Sequence, residues 1–184
     1  MQKIAISTLN GYFNYGNRLQ NYALQSMLEA LGFNVETIIV DIKKPNRLNN
    51  KSPSIVSRLK NKSPRKLYNR VNLRLWNYMY RDEIINFNSM RTDVFKKFTL
   101  NYIKETDYSI SDNNIPDNLS DKYDYFIVGS DQVWNPSYIY GSSIYFLTFA
   151  PKHKRIAYAP SFGVSEIKPE YIERYKKWIS GKIG

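Results

Sequence analysis

With 184 residues, 42% of them hydrophobic and 15% aromatic, the chain is long enough for one buried core and too apolar for wholesale disorder. The absence of cysteine removes disulfides, thiolate metal sites and cysteine nucleophiles, and no apolar run approaches the roughly 20 residues of a membrane-spanning helix. The net charge of +11 is local: Lys43 to Lys97 holds 15 Lys and Arg against 3 Asp and Glu, and the remainder holds 12 against 13, so a basic surface segment is added to a near-neutral domain.

Taken in order, Lys3 to Leu9 (KIAISTL) predicts a first strand apolar enough to be buried on both faces. The start MQKIAIS lacks the pattern of a signal peptide, and the expectation is a cytoplasmic protein, peripheral at most to the inner face of the membrane. Asn10 to Asn17 (NGYFNYGN) is a loop opening onto an amphipathic helix with Leu19, Tyr22, Ala23, Met27 and Leu31 near helical spacing and Gly32 placed to end it. Phe33 to Val40 (FNVETIIV) predicts a second strand, which completes a βαβ unit. The loop is no dinucleotide fingerprint, since GxGxxG is absent. Asn14, Asn17, Arg18, Gln20 and Asn21 instead make an amide-rich helix entry, suited to a hydroxyl-rich or phosphorylated ligand or to simple capping.

Lys43 to Asn61 predicts a loop with at most a short helix near Ile55 to Leu59. From Arg65 the helical period returns, with Leu67, Val71, Leu75 and Tyr78 on one face, then Ile84, Phe87, Val94 and Phe98 in a less regular stripe. Aromatics and arginines at this spacing describe core plus solvated face better than a nucleic-acid groove, and the sharper reading is a patch that attracts anionic lipid headgroups. Asn113 to Asp121 is loop-like.

The stretch Tyr125 to Pro136 (YFIVGSDQVWNP) is a buried strand running into a site. Gly129 permits a tight turn and close ligand approach, and ligands in open α/β sheets bind beyond the carboxyl ends of strands. Asp131 is thereby placed at a cleft edge, with Ser130, Gln132 and Asn135 as hydrogen-bonding neighbours and Trp134 as an apolar wall; the bland alternative is that Ser130 and Asp131 cap a following helix. Ser143 to Ala150 (SIYFLTFA) fits helix or strand equally, Lys154 to Ala159 (KRIAYA) predicts a strand, and Pro169 to Ile179 predicts a helix with Tyr171, Ile172, Tyr175 and Ile179 at helical spacing. If the strands ending at Gly129 and Ala159 share one parallel sheet, Ser161 lies near the same edge as Asp131. His153, the only histidine, sits in a Lys-rich loop with no serine beside it, and neither a triad nor a metal or cofactor site is indicated.

Three stretches together, Asn14 to Gln25 (NYGNRLQNYALQ), Gly129 to Pro136 (GSDQVWNP) and Ile156 to Gly163 (IAYAPSFG), resemble the polysaccharide pyruvyl transferase family. The resemblance implies an α/β fold, a Rossmann-like parallel sheet flanked by helices, similar to one lobe of a two-lobed B-type glycosyltransferase. It implies residues 1–184 as the N-terminal lobe with a basic helical insertion at about 43–100 and the C-terminal lobe absent, which would leave this chain inactive alone. The implied reaction moves the pyruvyl group of phosphoenolpyruvate onto sugar hydroxyls of an exopolysaccharide or cell-wall glycan, forming a ketal. Asp131 is then the general base or electrostatic stabiliser; Trp134 and Tyr15 stack on a sugar ring; Asn14, Asn17, Gln132 and Asn135 read hydroxyls; Arg18 holds an anionic group; and Gly16, Gln20, Asn21, Gly129, Ser130, Ser161, Phe162 and Gly163 complete the binding set. The expected partners are a glycan or lipid-linked saccharide, phosphoenolpyruvate in the two-lobed context, an anionic membrane at the periphery and a second copy in a homodimer, with no nucleic acid. The competing readings are a noncatalytic glycan- or anion-binding domain and a lobe of a sugar-nucleotide glycosyltransferase.

Overall fold

The computed structural model describes residues 1–12, 14–42 and 64–181. Two compact units emerge, one made of Met1–Lys44 with Phe95–Gly184 and the other of Pro45–Val94. The first unit is built on five strands, β1 (Lys3–Ser7), β2 (Asn34–Val40), β3 (Glu105–Ile110), β4 (Tyr125–Asp131) and β5 (Arg155–Pro160), in the order β3-β2-β1-β4-β5. All four pairings are parallel, and the sheet is flanked by helices in a Rossmann-like α/β arrangement. The helices are α1 (Tyr15–Ala30), α2 (Pro64–Met79), α3 (Arg81–Tyr102), α4 (Pro136–Ile139) and α5 (Pro169–Ser180).

Strand parity divides the core. Ile4, Ile6, Val35 and Ile127 meet Leu24 and Leu28 of α1 on one face of the sheet. Their alternates Ala5, Ile38, Phe126 and Val128 join a larger cluster with Val133, Ile139, Tyr145, Phe146, Leu147 and Tyr175 on the other. An aromatic stack reinforces that second face: Trp134 lies parallel to Phe146 at 5.2 Å, and Tyr175 and Trp178 of α5 lie 4.8 and 5.0 Å from Phe146. Burial pushes the Tyr175 phenol up to about 12, helped by Tyr171 and opposed by Arg174.

Several elements depart from the sequence reading. The apolar stripe of α1 is not its buried face: Leu19, Tyr22, Met27 and Leu31 are exposed, and the helix buries Asn17, Arg18, Asn21, Leu24, Gln25 and Leu28. Polar groups of the sheet and of the turn leading into β3 lie beneath the helix and require partners there. Asn21 Oδ1 accepts from Thr37 Oγ1 at 3.0 Å, Gln25 accepts from Lys104 N at 2.8 Å and donates to Tyr102 O at 3.3 Å, and the wholly buried Arg18 pairs with Glu105 at 2.9 Å. The outer stripe meets the last turns of α3 instead, Tyr22 against Phe98 and Tyr102.

The strand expected to end at Gly129 runs on to Asp131, because Gly129 and Asp131 both pair with β5, against Tyr158 and Pro160. Strand β3 (ETDYSI) has no apolar run to announce it; as an edge strand it buries few side chains. Ser143 to Ala150 is neither helix nor strand but a buried 3-10 turn at Ile144–Phe146 with flanking turns. In α5 the inward residues are Tyr175 and Trp178, while Ile179 faces out. The loop and short helix expected near Ile55 to Leu59 lie outside the described residues.

In the second unit, the residues of α2 and the start of α3 whose side chains are described are almost all exposed, including Val71, Leu75, Tyr78, Phe87 and Val94. No helix among the described residues is long and apolar enough to cross a membrane.

Candidate functional site

The crossover to α1 leaves the carboxyl end of β1 in one direction and the chain enters β4 in the other, so the edge between β1 and β4 is where strand order reverses and a crevice opens. A cleft of about 630 Å³ lies there. It is lined by Leu9 and Asn10 after β1, Val40, Asp41 and Ile42 at the end of β2, Asn14 and Asn17 at the start of α1, Asp131 and Gln132 at the end of β4, and Ser137, Tyr138, Tyr140 and Tyr145 from α4 and the segment behind it.

Two carboxylates, Asp131 and Asp41, therefore face one cleft. Asp131 is exposed and held at φ 73°, a left-handed backbone that Asn and Asp adopt more readily than most residues. Its carbonyl accepts from Ser161 N at 2.8 Å and Ser161 Oγ at 3.3 Å, so β5 fixes the main chain and leaves the carboxylate free to face the cleft. Just behind it, Gly129 sits so close to β5 that a Cβ there would lie 1.9 Å from Tyr158 O. Gly163, at φ 60°, leaves room for Gln132, whose Oε1 accepts from Asn135 Nδ2 at 2.9 Å.

The amides divide into two groups. Gln20 is a strut: its Nε2 donates to Thr8 Oγ1 at 2.6 Å and its Oε1 accepts from Ser130 N at 2.9 Å and Ser130 Oγ at 2.6 Å, joining the ends of β1 and β4. Asn14 caps α1 by accepting from Gly16 N at 2.8 Å, and Asn135 caps α4 by accepting from Ser137 N at 2.9 Å. Asn10 and Asn17 differ. The side-chain oxygen of each is buried without a hydrogen-bond partner, while the Asn10 amide nitrogen donates to Ile38 O at 3.2 Å and Asn17 is only 3% exposed. A buried acceptor left unsatisfied costs about 1–3 kcal/mol, so both oxygens call for a donor from the cleft. Tyr145 supplies one in the other sense: burial raises its phenol far above the usual value, with Asp112 raising it further and Arg18 opposing, so the hydroxyl keeps its proton.

Of the residues singled out by sequence, Asn14, Asn17, Asp131 and Gln132 line the cleft, and Gln20, Ser130, Asn135 and Ser161 hold its walls. Asn21 and Arg18 face the sheet beneath α1, where Arg18 meets Glu105 and the Leu9 carbonyl. Tyr15 lies on Phe95 at 4.2 Å, and Trp134 and Phe162 belong to the aromatic stack, with Trp134 Nε1 donating to Tyr145 O at 2.8 Å. His153 is exposed in a 3-10 turn. Asp41, Asn10 and the three tyrosines were not singled out. Asp41 was legible by the rule that drew attention to Asp131, since it follows directly on the carboxyl end of a buried parallel strand.

Among the described residues no Lys or Arg lines the cleft, and no group of three or more His, Cys, Asp or Glu stands at metal-binding distance. No curated protein and no solved structure gives a match to the chain. A family model described as polysaccharide pyruvyl transferase matches residues 14–182, from the N-cap of α1 past the end of α5. That span takes in the α1 entry, the β4 turn and the β5 exit that together build the cleft walls, and the chain belongs to the polysaccharide pyruvyl transferase family.

Proposed function

We propose that the cleft holds the sugar acceptor of a pyruvyl transfer from phosphoenolpyruvate, and that Asp131 takes the proton of the attacking hydroxyl. In that reaction the donor's methylene carbon gains a proton, and a first hydroxyl adds to the neighbouring carbon and gives up its proton. The C–O bond to phosphate breaks, phosphate leaves, and a second hydroxyl adds with loss of its own proton to close the ketal. A carboxylate at the cleft rim suits hydroxyl deprotonation and stabilises the cationic carbon between the two additions.

What supports this reading is one property of the lining: Asp41, Asp131, Asn10 Oδ1 and Asn17 Oδ1 are all acceptors, and none of the lining side chains is cationic. Such a wall favours a neutral ligand rich in O–H donors and disfavours a phosphate or a carboxylate. Tyr138 and Tyr140 offer partly apolar surface of the kind sugar rings use. The donor is accordingly assigned to residues other than this lining.

Amide NMR of the chain, titrated separately with simple glycosides and with phosphoenolpyruvate, tests the assignment. Shifts at Asn10, Asn17, Asp41 and Asp131 with a glycoside alone are expected; shifts there with phosphoenolpyruvate alone would reverse the roles. A noncatalytic glycan-binding domain would show the same glycoside shifts, and acceptor-dependent phosphate release from phosphoenolpyruvate separates the two. Acceptor-dependent release of a nucleotide from a sugar-nucleotide donor, with no response to phosphoenolpyruvate, would point to a glycosyltransferase.

A further inference from the structure

Helix α2, PRKLYNRVNLRLWNYM, carries Arg65, Lys66, Arg70 and Arg74 and no acidic residue. At 3.6 residues per turn, Tyr78, Val71, Leu75, Tyr68 and Met79 project within an arc of about 100°. Arg74 and Arg70 border that arc on one side and Arg65 on the other, and the asparagines Asn69 and Asn77 lie on the opposite face with Leu73. In an ordinary core helix the apolar arc would be covered. Here it is open: its residues are between 49% (Val71) and 78% (Tyr78) exposed, and the three bordering arginines are exposed as well.

From this arrangement we propose that α2 docks flat on an anionic lipid bilayer, its aliphatic and aromatic arc entering the headgroup boundary and its arginines meeting the lipid charges. The charge pattern decides the occupant. A second copy of this helix would bring cations against cations, whereas an anionic bilayer satisfies both the apolar arc and its rims, with the arginine stems lying along the apolar surface. An arc of two tyrosines, a leucine, a valine and a methionine supplies apolar depth that a nucleic-acid backbone does not use. Trp76, tilted against Tyr80 with ring centroids 5.0 Å apart, lies on the same rim of the arc as Arg65 about three turns away, where amphipathic indoles favour an interface. The proposal stands on the second unit alone and is independent of what the cleft binds.

The test is cosedimentation of the whole chain with vesicles of phosphatidylcholine, with and without about one third phosphatidylglycerol, at low and at about 1 M salt. Binding to the anionic vesicles that weakens with salt is expected. The variant Arg70→Gln with Arg74→Gln should lose about thirtyfold in apparent affinity. The variant Val71→Gln with Leu75→Gln should lose binding at both salts while keeping its circular dichroism, because all four positions are exposed and Gln is a good helix former. Equal binding to neutral vesicles, no binding at low salt, or binding untouched by both variants would each overturn the proposal. So would sedimentation as a dimer that Val71→Gln with Leu75→Gln dissociates, since the arc would then cover a second copy.

Discussion

Asp131 owes its place to a backbone conformation that few residues accept, and this shapes the variant that tests it. Asparagine shares the tolerance for left-handed φ, so Asp131→Asn should fold and melt like the parent while losing about 10²–10⁴ in pyruvyl transfer, read as acceptor-dependent phosphate release in the active protein. Alanine there would confound the loss with strain. Gly129 imposes a different restriction. A methyl group 1.9 Å from Tyr158 O must push β5 off β4, and Gly129→Ala should cost about 3 kcal/mol, seen as a melting temperature lowered by about 6–12 °C. The same lesion should blunt the glycoside response of Asp131, because the Ser161 bonds that hold its main chain lie on the displaced strand.

Helix α1 shows how an element can mislead when taken by hydrophobic pattern alone. Its leucines and aromatics at helical spacing suggest a buried stripe, yet the sheet below it presents Thr37, Glu105 and Ser130, with Thr8 directly after β1, and the amides and Arg18 are needed there. Periodicity records where apolar side chains fall, not which face finds polar partners that lie far along the chain. The inner strands β1 and β4 were legible because their apolar runs are buried on both faces, and the edge strand β5 because its sequence RIAYAP still holds a short apolar run although most of it is exposed; β3 (ETDYSI), at the other edge, has no such run. For the site, the strand-end rule found Asp131, whereas Tyr145 reaches the cleft from a buried turn whose conformation has no periodic signature. The Arg18–Glu105 pair carries its own prediction. Glu105→Gln leaves a buried guanidinium uncompensated and should cost about 3–5 kcal/mol in urea unfolding, while Arg18→Met with Glu105→Leu should recover most of it. Across the same sheet, Lys3 pairs with Glu36 at 2.7 Å, Tyr123 donates to Glu36, and Tyr123 and Tyr108 share a hydrogen bond at 2.7 Å. Burial alone would raise the Glu36 carboxyl, but the bonds from Lys3 and Tyr123 and the charges of Lys3 and Lys122 outweigh it and hold it below its ordinary 4.5. A carboxyl lowered on folding stabilises at pH above its unfolded value and loses that contribution as pH falls through the folded one. The stability difference between the parent and Glu36→Gln should therefore be full near neutrality and vanish in acid below the ordinary carboxylate range, as melting across pH will show.

For the whole chain, stability should be uneven in a way that its architecture dictates. β1 and β4 lie inside the sheet with buried side chains on both faces, and their amides should exchange most slowly with deuterium; the exposed helices of Pro45–Val94 should exchange orders of magnitude faster. Exchange rates within a factor of ten across the two units would contradict this. The acceptor-rich cleft also bears on what happens after the reaction proposed for it. A pyruvyl ketal carries a carboxylate that its parent sugar lacked, and the ligand that entered neutral leaves as an anion. At about 6 Å and an effective dielectric of about 20, one such charge facing one of the cleft carboxylates is opposed by about 3 kcal/mol. The wall that recruits the acceptor thus turns against the product, so the chemistry itself clears the site, and added pyruvylated glycan should be a poor inhibitor at concentrations where the unmodified glycan saturates.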